Sequence, residues 1–138
     1  EGYSMDGMDA VLCKVDTEKQ TLEYAAANNS IYVVREGQLN EYKSQKMPVG
    51  YMENFVPFQT SKIMLQKGDV IYTFTDGFAD QFGGPKGKKF MYKRFNDLLL
   101  SIASKPLSEQ HDLLAAQFGT WKGDLEQIDD VCVIAVKF

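Results

Sequence analysis

Apolar and polar positions alternate over residues 8–16 (MDAVLCKVD), which predicts a strand ending at the polar turn DTEKQ. A second strand is expected over 21–27 (TLEYAAA). Asn28-Asn29 then supplies a turn before SIYVVRE, 30–36. Gly37 breaks the chain ahead of QLNEYK. Short strands with Asn and Gly punctuation predict an antiparallel meander. Met47-Pro48-Val49-Gly50 reads as a loop of restricted backbone. Residues 55–66 have strand composition, with Pro57 marking an edge or a bulge. Lys67-Gly68-Asp69 is a tight turn before the strand 69–75 (DVIYTFT), so a hairpin is expected to join the two.

The period changes after Gly84. Met91, Phe95, Leu98, Leu99 and Ile102 recur at helical spacing over 90–104, and Lys105-Pro106 ends that helix. Ser108 is the expected N-cap of a second helix, with Glu109 in its first turn. That helix runs to about Trp121, burying Leu113, Leu114, Phe118 and Trp121, and stops at Lys122-Gly123. VCVIAVKF, 131–138, is apolar on both faces up to Lys137 and is expected to be central in its sheet. Strands, two helices and a strand make a layered α+β domain, with a helix pair over a largely antiparallel sheet.

At 138 residues the chain holds one domain and one core. A net charge of −4 argues against nucleic acid as the main partner, since phosphate binding needs a basic face. It suits a site that collects carboxylates around a cation. Cys13 and Cys132 lie far apart without a CxxC, which excludes a zinc ribbon and favours buried free thiols in a reducing cytoplasm. His111, the one histidine, falls in a helix beside Asp112, so histidine-based metal or nucleophile chemistry is not expected. No apolar run reaches the roughly 18 residues of a membrane span. The acidic start EGYSMDGMD is no signal peptide and has no initiator Met, so a fragment of a longer protein is expected.

Asp76 stands at the end of one apolar strand in YTFTDGFADQFGG, with Asp80 four places on. Asp129 and Asp130 stand just before another, in EQIDDVCVIAV. Antiparallel neighbours would bring these acids to one rim of the sheet. Like charges there raise one another's pKa unless a cation neutralises them. A hard ion such as Mg²⁺ or Mn²⁺, which prefers oxygen ligands, does so without histidine. A strand ending in Asp-Gly, or a DD pair, is by itself ordinary turn chemistry; the joint occurrence carries the inference.

TDGFADQFGG followed by GKKF, and EQIDDVCVIAVKF at the end, resemble the SpoIIE-type branch of the metal-dependent (PPM) serine/threonine protein phosphatases. DGMDAVLCKVD, YAAANNSIYVVREG, MPVGY and QKGDVIYTFTDG look like successive blocks of that domain, in order. The wording, with ANN and DQFGG, looks most like phosphatase modules at the C-termini of bacterial sensor proteins. The resemblance implies a layered sandwich of two β-sheets with flanking helices and two Mn²⁺ or Mg²⁺ ions at its edge. It makes Asp76 and Asp129 catalytic ligands of one metal, with Gly77 in the same metal motif letting the backbone turn beneath it. Asp80 is expected to hold waters or an additional metal, and Asp130 to stand behind the ligands. The implied substrate is a phosphorylated regulator of the anti-sigma-antagonist kind. The implied setting is cytoplasmic, with sensory domains N-terminal in the parent chain and any membrane anchor upstream.

The family's first Asp-Gly motif, whose carboxylate bridges both metals, has no counterpart here. Asp6-Gly7 precedes a strand instead of following one, and matches a block downstream of the true motif. Residues 1–138 therefore read as the C-terminal part of one domain, N-terminally truncated, with one weak metal site at most. Little turnover is expected of the chain alone. A non-catalytic interaction module keeping the phosphatase fold is the alternative, with self-association through exposed strand edges. Lys86, Lys88 and Lys89 in GGPKGKK could steer a phosphorylated substrate, or form a solvated loop. A turn is enough to explain Asn28-Asn29.

Overall fold

The computed structural model describes residues 6–138. In chain order its elements begin with β1 Gly7–Met8, β2 Ala10–Asp16, β3 Thr21–Ala27, β4 Ile31–Arg35 and β5 Gln38–Tyr42. β6 Val49–Gly50, β7 Ser61–Met64, β8 Val70–Phe74 and the single-turn α1 Gly77–Asp80 follow. β9 Phe82–Gly83, β10 Lys88–Lys89, α2 Met91–Ile102, α3 Leu107–Lys122 and β11 Val133–Lys137 complete the chain.

The strands form two principal antiparallel sheets, ordered β11-β8-β4-β5 and β2-β3-β7. Alternation along each strand makes two cores. Leu22, Tyr24 and Ile63 of the smaller sheet meet Ile31, Val33 and Ile71 of the larger one, so the sheets pack face to face. Val34, Val70, Tyr72 and Phe74 point the other way and meet Phe95, Leu99 and Ile102 of α2. The layers run sheet, sheet, helix pair, as the α+β reading expected. No helix among the described residues is long and apolar enough to cross a membrane.

Buried Gln110 ties the helix pair to the sheet. Tyr72 donates to its Oε1 at 2.6 Å, while its Nε2 donates to the carbonyls of Ala103 and Lys105 at the end of α2. Burial pushes the Tyr72 phenol up to about 12, so it stays a donor.

Several expectations are corrected. The meander is split, because the chain changes sheet at Asn28–Ser30, where Asn28 takes a left-handed backbone (φ +62°). Residues 55–60 form no strand, and β7 starts only at Ser61. The expected hairpin does not form: β7 pairs with β3, and both edges of β8 are taken by β4 and β11. The turn at 67–69 is a corner between sheets, held by Asp69. This carboxylate, 1% exposed, accepts from Arg35 Nε at 2.8 Å and Nη2 at 2.6 Å, and from the Gln66 N–H at 2.8 Å. Arg35 also donates to the Met64 carbonyl, so one guanidinium joins both sheets. Phe138 closes the same corner through its N–H to the Asp69 carbonyl and its carbonyl from the Gly68 N–H.

β11 is an edge strand, not a central one. Val133 and Ala135 pack toward the helices, but Ile134 is 56% exposed on the other face. Pro106, not Ser108, caps α3, since proline brings no N–H to satisfy. Leu113, Leu114, Phe118 and Trp121 are half-buried, and Gln110 is the one fully buried residue of α3. GGPKGKK is no open loop: β9 and β10 pair across it. Both cysteines are free, but Cys132 is exposed and only Cys13 is partly covered.

Burial alone would raise the Asp69 pKa, but the Arg35 and Gln66 hydrogen bonds outweigh it and leave the net shift downward. A depressed carboxylate stabilises the fold above its unfolded value of 3.8, and that contribution is lost as pH falls through the lower folded value. Asp69→Ala is expected to cost about 2–4 kcal/mol near neutrality by stranding Arg35. In urea titrations the gap to wild type should shrink as pH drops below that range.

Candidate active site

The antiparallel register of β8 and β11 pairs Phe74 with Val133. The residues after one strand and before the other therefore share a rim. Thr75 stitches that rim. Its N–H donates to the Cys132 carbonyl at 3.0 Å, its Oγ1 donates to the Asp130 carbonyl at 2.9 Å, and it accepts from the Cys132 N–H at 3.0 Å. One hydroxyl thus replaces a ladder rung where the two strands part.

Gly77 opens α1 directly beneath this stitch. A Cβ there would overlap the Asp130 carbonyl oxygen. Close approach of two backbones is what demands glycine at this position; a tight turn is not the cause. A second brace holds the acid loop from behind. Buried Gln81 donates through Nε2 to the Glu126 carbonyl at 2.9 Å, and its backbone carbonyl accepts from Trp121 Nε1 at 2.9 Å. Gly83 lies against the Trp121 backbone, where a side chain would collide.

These braces bring the Asp76 and Asp129 carboxyl groups close enough for the Asp129 charge to act on Asp76. Burial raises the Asp76 pKa, and the charges of Asp129 and Asp80 raise it further. Asp129 Oδ1 accepts the Asp130 N–H at 2.7 Å. Asp80 stands close enough to act on Asp76 but is held by Lys89 Nζ at 3.2 Å. Asp130 enters the rim through its carbonyl. Lys89 joins the rim; Lys86 and Lys88 remain exposed in the turn and strand beside it. Asp6 directly precedes β1.

Tyr92 is a rim residue that the sequence reading passed over. Burial pushes its phenol up to about 12, followed by the charges of Asp76 and Asp80 and smaller effects of Tyr32 and Asp9. It follows Met91, whose φ of +74° is a conformation non-glycine residues rarely adopt. Such a residue costs roughly 1–3 kcal/mol and persists where its neighbours over-determine it. Here Phe90 is locked in the core and Tyr92 turns toward the acids. Thr75 and Gln81 were equally invisible, since their work is main-chain bracing with no motif of its own.

The oxygen-only donors of Asp76 and Asp129 fit a hard divalent cation as two of its ligands. Among the described residues no group of three or more His, Cys, Asp or Glu gathers to hold a metal.

The family model described as Stage II sporulation protein E (SpoIIE) matches residues 4–138. No curated protein matches the chain. Among solved structures, the SiaA-PP2C domain of Pseudomonas aeruginosa is 32% identical with a TM-score of 0.85, over 94% of this chain and 51% of that one. The PP2C phosphatase domain with a regulatory fragment of SpoIIE from Bacillus subtilis is 17% identical with a TM-score of 0.74, over 94% and 37%. A Mycobacterium tuberculosis structure of RsbU and RsbW domains is 20% identical with a TM-score of 0.72, over 94% and 35%. At their identities the last two show the fold alone. The chain spans about half of the first of these structures and less of the other two.

Two outcomes are expected. Gly77→Ala should destabilise by about 1–3 kcal/mol in thermal or urea melts, since the Asp130 backbone must move. Asp76 holds its proton more tightly when folded, so its ionisation costs stability as pH rises above 3.8. Without divalent ions at pH 7, Asp76→Asn should raise Tm, and the gain should vanish as pH falls below 3.8.

Proposed function

The chain belongs to the SpoIIE family, and on that premise we propose that it supplies one face of the active centre of a metal-dependent protein phosphatase acting on phosphoserine or phosphothreonine. The observation that supports this reading is the convergence of Asp76 and Asp129 on one rim, where burial first, and then the charges of Asp129 and Asp80, raise the Asp76 pKa. Two carboxyls in that state gain most from a cation between them. In this reading Asp76 and Asp129 hold one Mn²⁺ or Mg²⁺, with Gly77 admitting the Asp130 backbone beside them. A hard cation there supplies Lewis acidity toward a phosphoryl oxygen and toward water. The chain's own residues do the positioning. Thr75 and Gln81 fix the acid loop, Lys89 holds Asp80, and Tyr92 keeps a neutral hydroxyl at the rim.

Two carboxylates bind such an ion weakly, with water in the remaining positions. A further carboxylate from outside these 138 residues would complete a two-metal centre. The substrate in this reading is a small phosphorylated regulator of the anti-sigma-antagonist kind, in the cytoplasm. The second reading, a non-catalytic interaction module, draws on the lack of a three-ligand group among the described residues and on the exposed apolar edge of β11.

The test is Mn²⁺-dependent hydrolysis of p-nitrophenyl phosphate by the full-length protein. Asp76→Asn and Asp129→Asn should each lower kcat/KM by about 100-fold or more, a loss of roughly 2.7 kcal/mol of transition-state stabilisation. Calorimetric titration of the 138-residue chain with Mn²⁺ should give a Kd weaker than about 10⁻⁴ M. A full-length protein that stays inactive with Mn²⁺, and in which Asp76→Asn changes neither metal affinity nor rate, would leave the interaction module as the function.

A further inference from the structure

The β9–β10 hairpin and the start of α2 carry a block of charge opposite to that of the chain as a whole. Lys86, Lys88, Lys89, Lys93 and Arg94 fall within residues 81–96, which hold no Asp or Glu, although acids outnumber bases 19 to 15 over the whole chain. Lys89 is held by Asp80 at 3.2 Å. Among the described residues Lys86, Lys88, Lys93 and Arg94 form no ion pair, and all four are exposed. The first turn of a helix favours acids, yet that of α2 has none and holds Lys93 and Arg94. Local charge balance therefore does not account for these cations.

Packing gathers them around Trp121. Gly83 and Gly84 lie so close to the Trp121 backbone and ring that a Cβ at either would collide, and the Gly84 N–H donates to the Trp121 carbonyl at 2.8 Å. Lys88 pairs directly with Gly83, and cross-strand partners share a face, so Lys88 leaves the hairpin on the Trp121 side. Arg94 reaches the same indole: its guanidinium carbon lies 4.9 Å from the ring centroid, and Nη1 donates to the Phe90 carbonyl at 3.0 Å. A guanidinium has five N–H donors, so most of its capacity stays open. Lys89 and Phe82 share the opposite face, toward Asp80. Cations fixed in this way suit an anionic partner. The adjoining acids narrow the choice. Asp80 is one ion pair away, and Asp129 and Asp130 are exposed on the same rim. A membrane surface or a continuous phosphate backbone would press its charge against those acids. A polypeptide can set a few Asp or Glu side chains on the ridge and keep its other charges clear of them.

We propose that the ridge formed by Lys86, Lys88, Lys93 and Arg94 beside Trp121 docks an acidic stretch of the protein whose phosphorylated residue enters the rim. Placing that stretch in a phosphorylated substrate rests on the phosphatase reading; the attraction for acidic polypeptide does not. The ridge selects partners by charge and speeds their encounter at low salt.

The experiment uses the full-length protein as wild type, as Lys86→Glu/Lys88→Glu, as Arg94→Gln, which leaves the hairpin untouched, and as a control, Lys14→Glu/Lys67→Glu, which makes the same charge change on β2 and at the corner. Fluorescence anisotropy is read with two unphosphorylated peptides, one rich in Asp and Glu, the other with Asn and Gln in their place. At about 50 mM NaCl wild type should bind the acidic peptide about tenfold more tightly, and at about 500 mM screening should close the gap to about twofold. Lys86→Glu/Lys88→Glu should lose about tenfold in affinity for the acidic peptide and Arg94→Gln about threefold, with the control within about twofold of wild type. Equal affinity of wild type for both peptides, or an equal loss in the control, would overturn the proposal. Capture of wild type but not Lys86→Glu/Lys88→Glu by phosphatidylcholine vesicles with about 30% phosphatidylserine, without a peptide preference, would overturn it in favour of a membrane. Kinetics then place the stretch. The ratio of kcat/KM for the phosphoserine form of the acidic peptide to that for p-nitrophenyl phosphate should fall about tenfold in Lys86→Glu/Lys88→Glu, with p-nitrophenyl phosphate itself nearly unchanged. A ratio that stays at the wild-type value would overturn the docking of a substrate. If wild type hydrolyses neither probe, the phosphatase reading has failed separately, and the anisotropy alone decides for or against the ridge.

Discussion

Antiparallel pairing of Val70–Phe74 with Val133–Lys137 is the constraint on which the rest depends. Two strands distant in sequence run opposite ways, so the exit of one and the entry of the other must share an end. The acids are placed by the register of apolar strands, and their own preferences have little say. Coulomb repulsion pushes Asp76 and Asp129 apart, but the burial of Tyr72, Phe74 and Ile71 on either side of β8 holds the backbones that carry them. Apolar burial of a large side chain is worth roughly 1.5–3 kcal/mol, and several act together here. A polar site can therefore be kept in an electrostatically unfavourable state that a cation would relieve.

The polar braces decide how finely that state is tuned. Thr75 makes three hydrogen bonds across the rim, and Gln81 links the acid loop to α1 and α3 through main-chain groups. Neither bears charge, so neither competes with the carboxylates for a cation. Gly77 adds a steric condition: the two backbones come so close that a methyl group cannot enter. Support of this kind is needed because hydrogen bonds and ligands tolerate displacements of only a few tenths of an ångström.

Much of this was legible in the chain. The strand alternation, the helix periods of α2 and α3 and the spacing of TDG and DD led to the correct layers and to the convergence of Asp76 with Asp129. The losses have physical causes. Lys67-Gly68-Asp69 announces a reversal but not which sheet receives the next strand; that is settled by Arg35, far away in sequence, clasping Asp69. VCVIAVKF reads as central because both its faces are apolar, yet Ile134 and Val136 stay exposed at an edge. Composition records which side chains tolerate burial and cannot record whether a neighbour arrives. Tyr92 was hidden inside an amphipathic helix, where only the three-dimensional path shows which polar residues turn toward the rim.

The two ends of β11 are fastened by different means. At the corner, Phe138 is gripped through both its N–H and its carbonyl by the turn around Asp69. At the rim, the strand's last tie to its neighbour runs through the hydroxyl and amide of one threonine. Fraying of this strand therefore has to break a side-chain stitch at one end or a two-way backbone clasp at the other before any rung of the ladder between them opens. An edge strand of only five residues is thereby kept in register, and with it the acids that precede it.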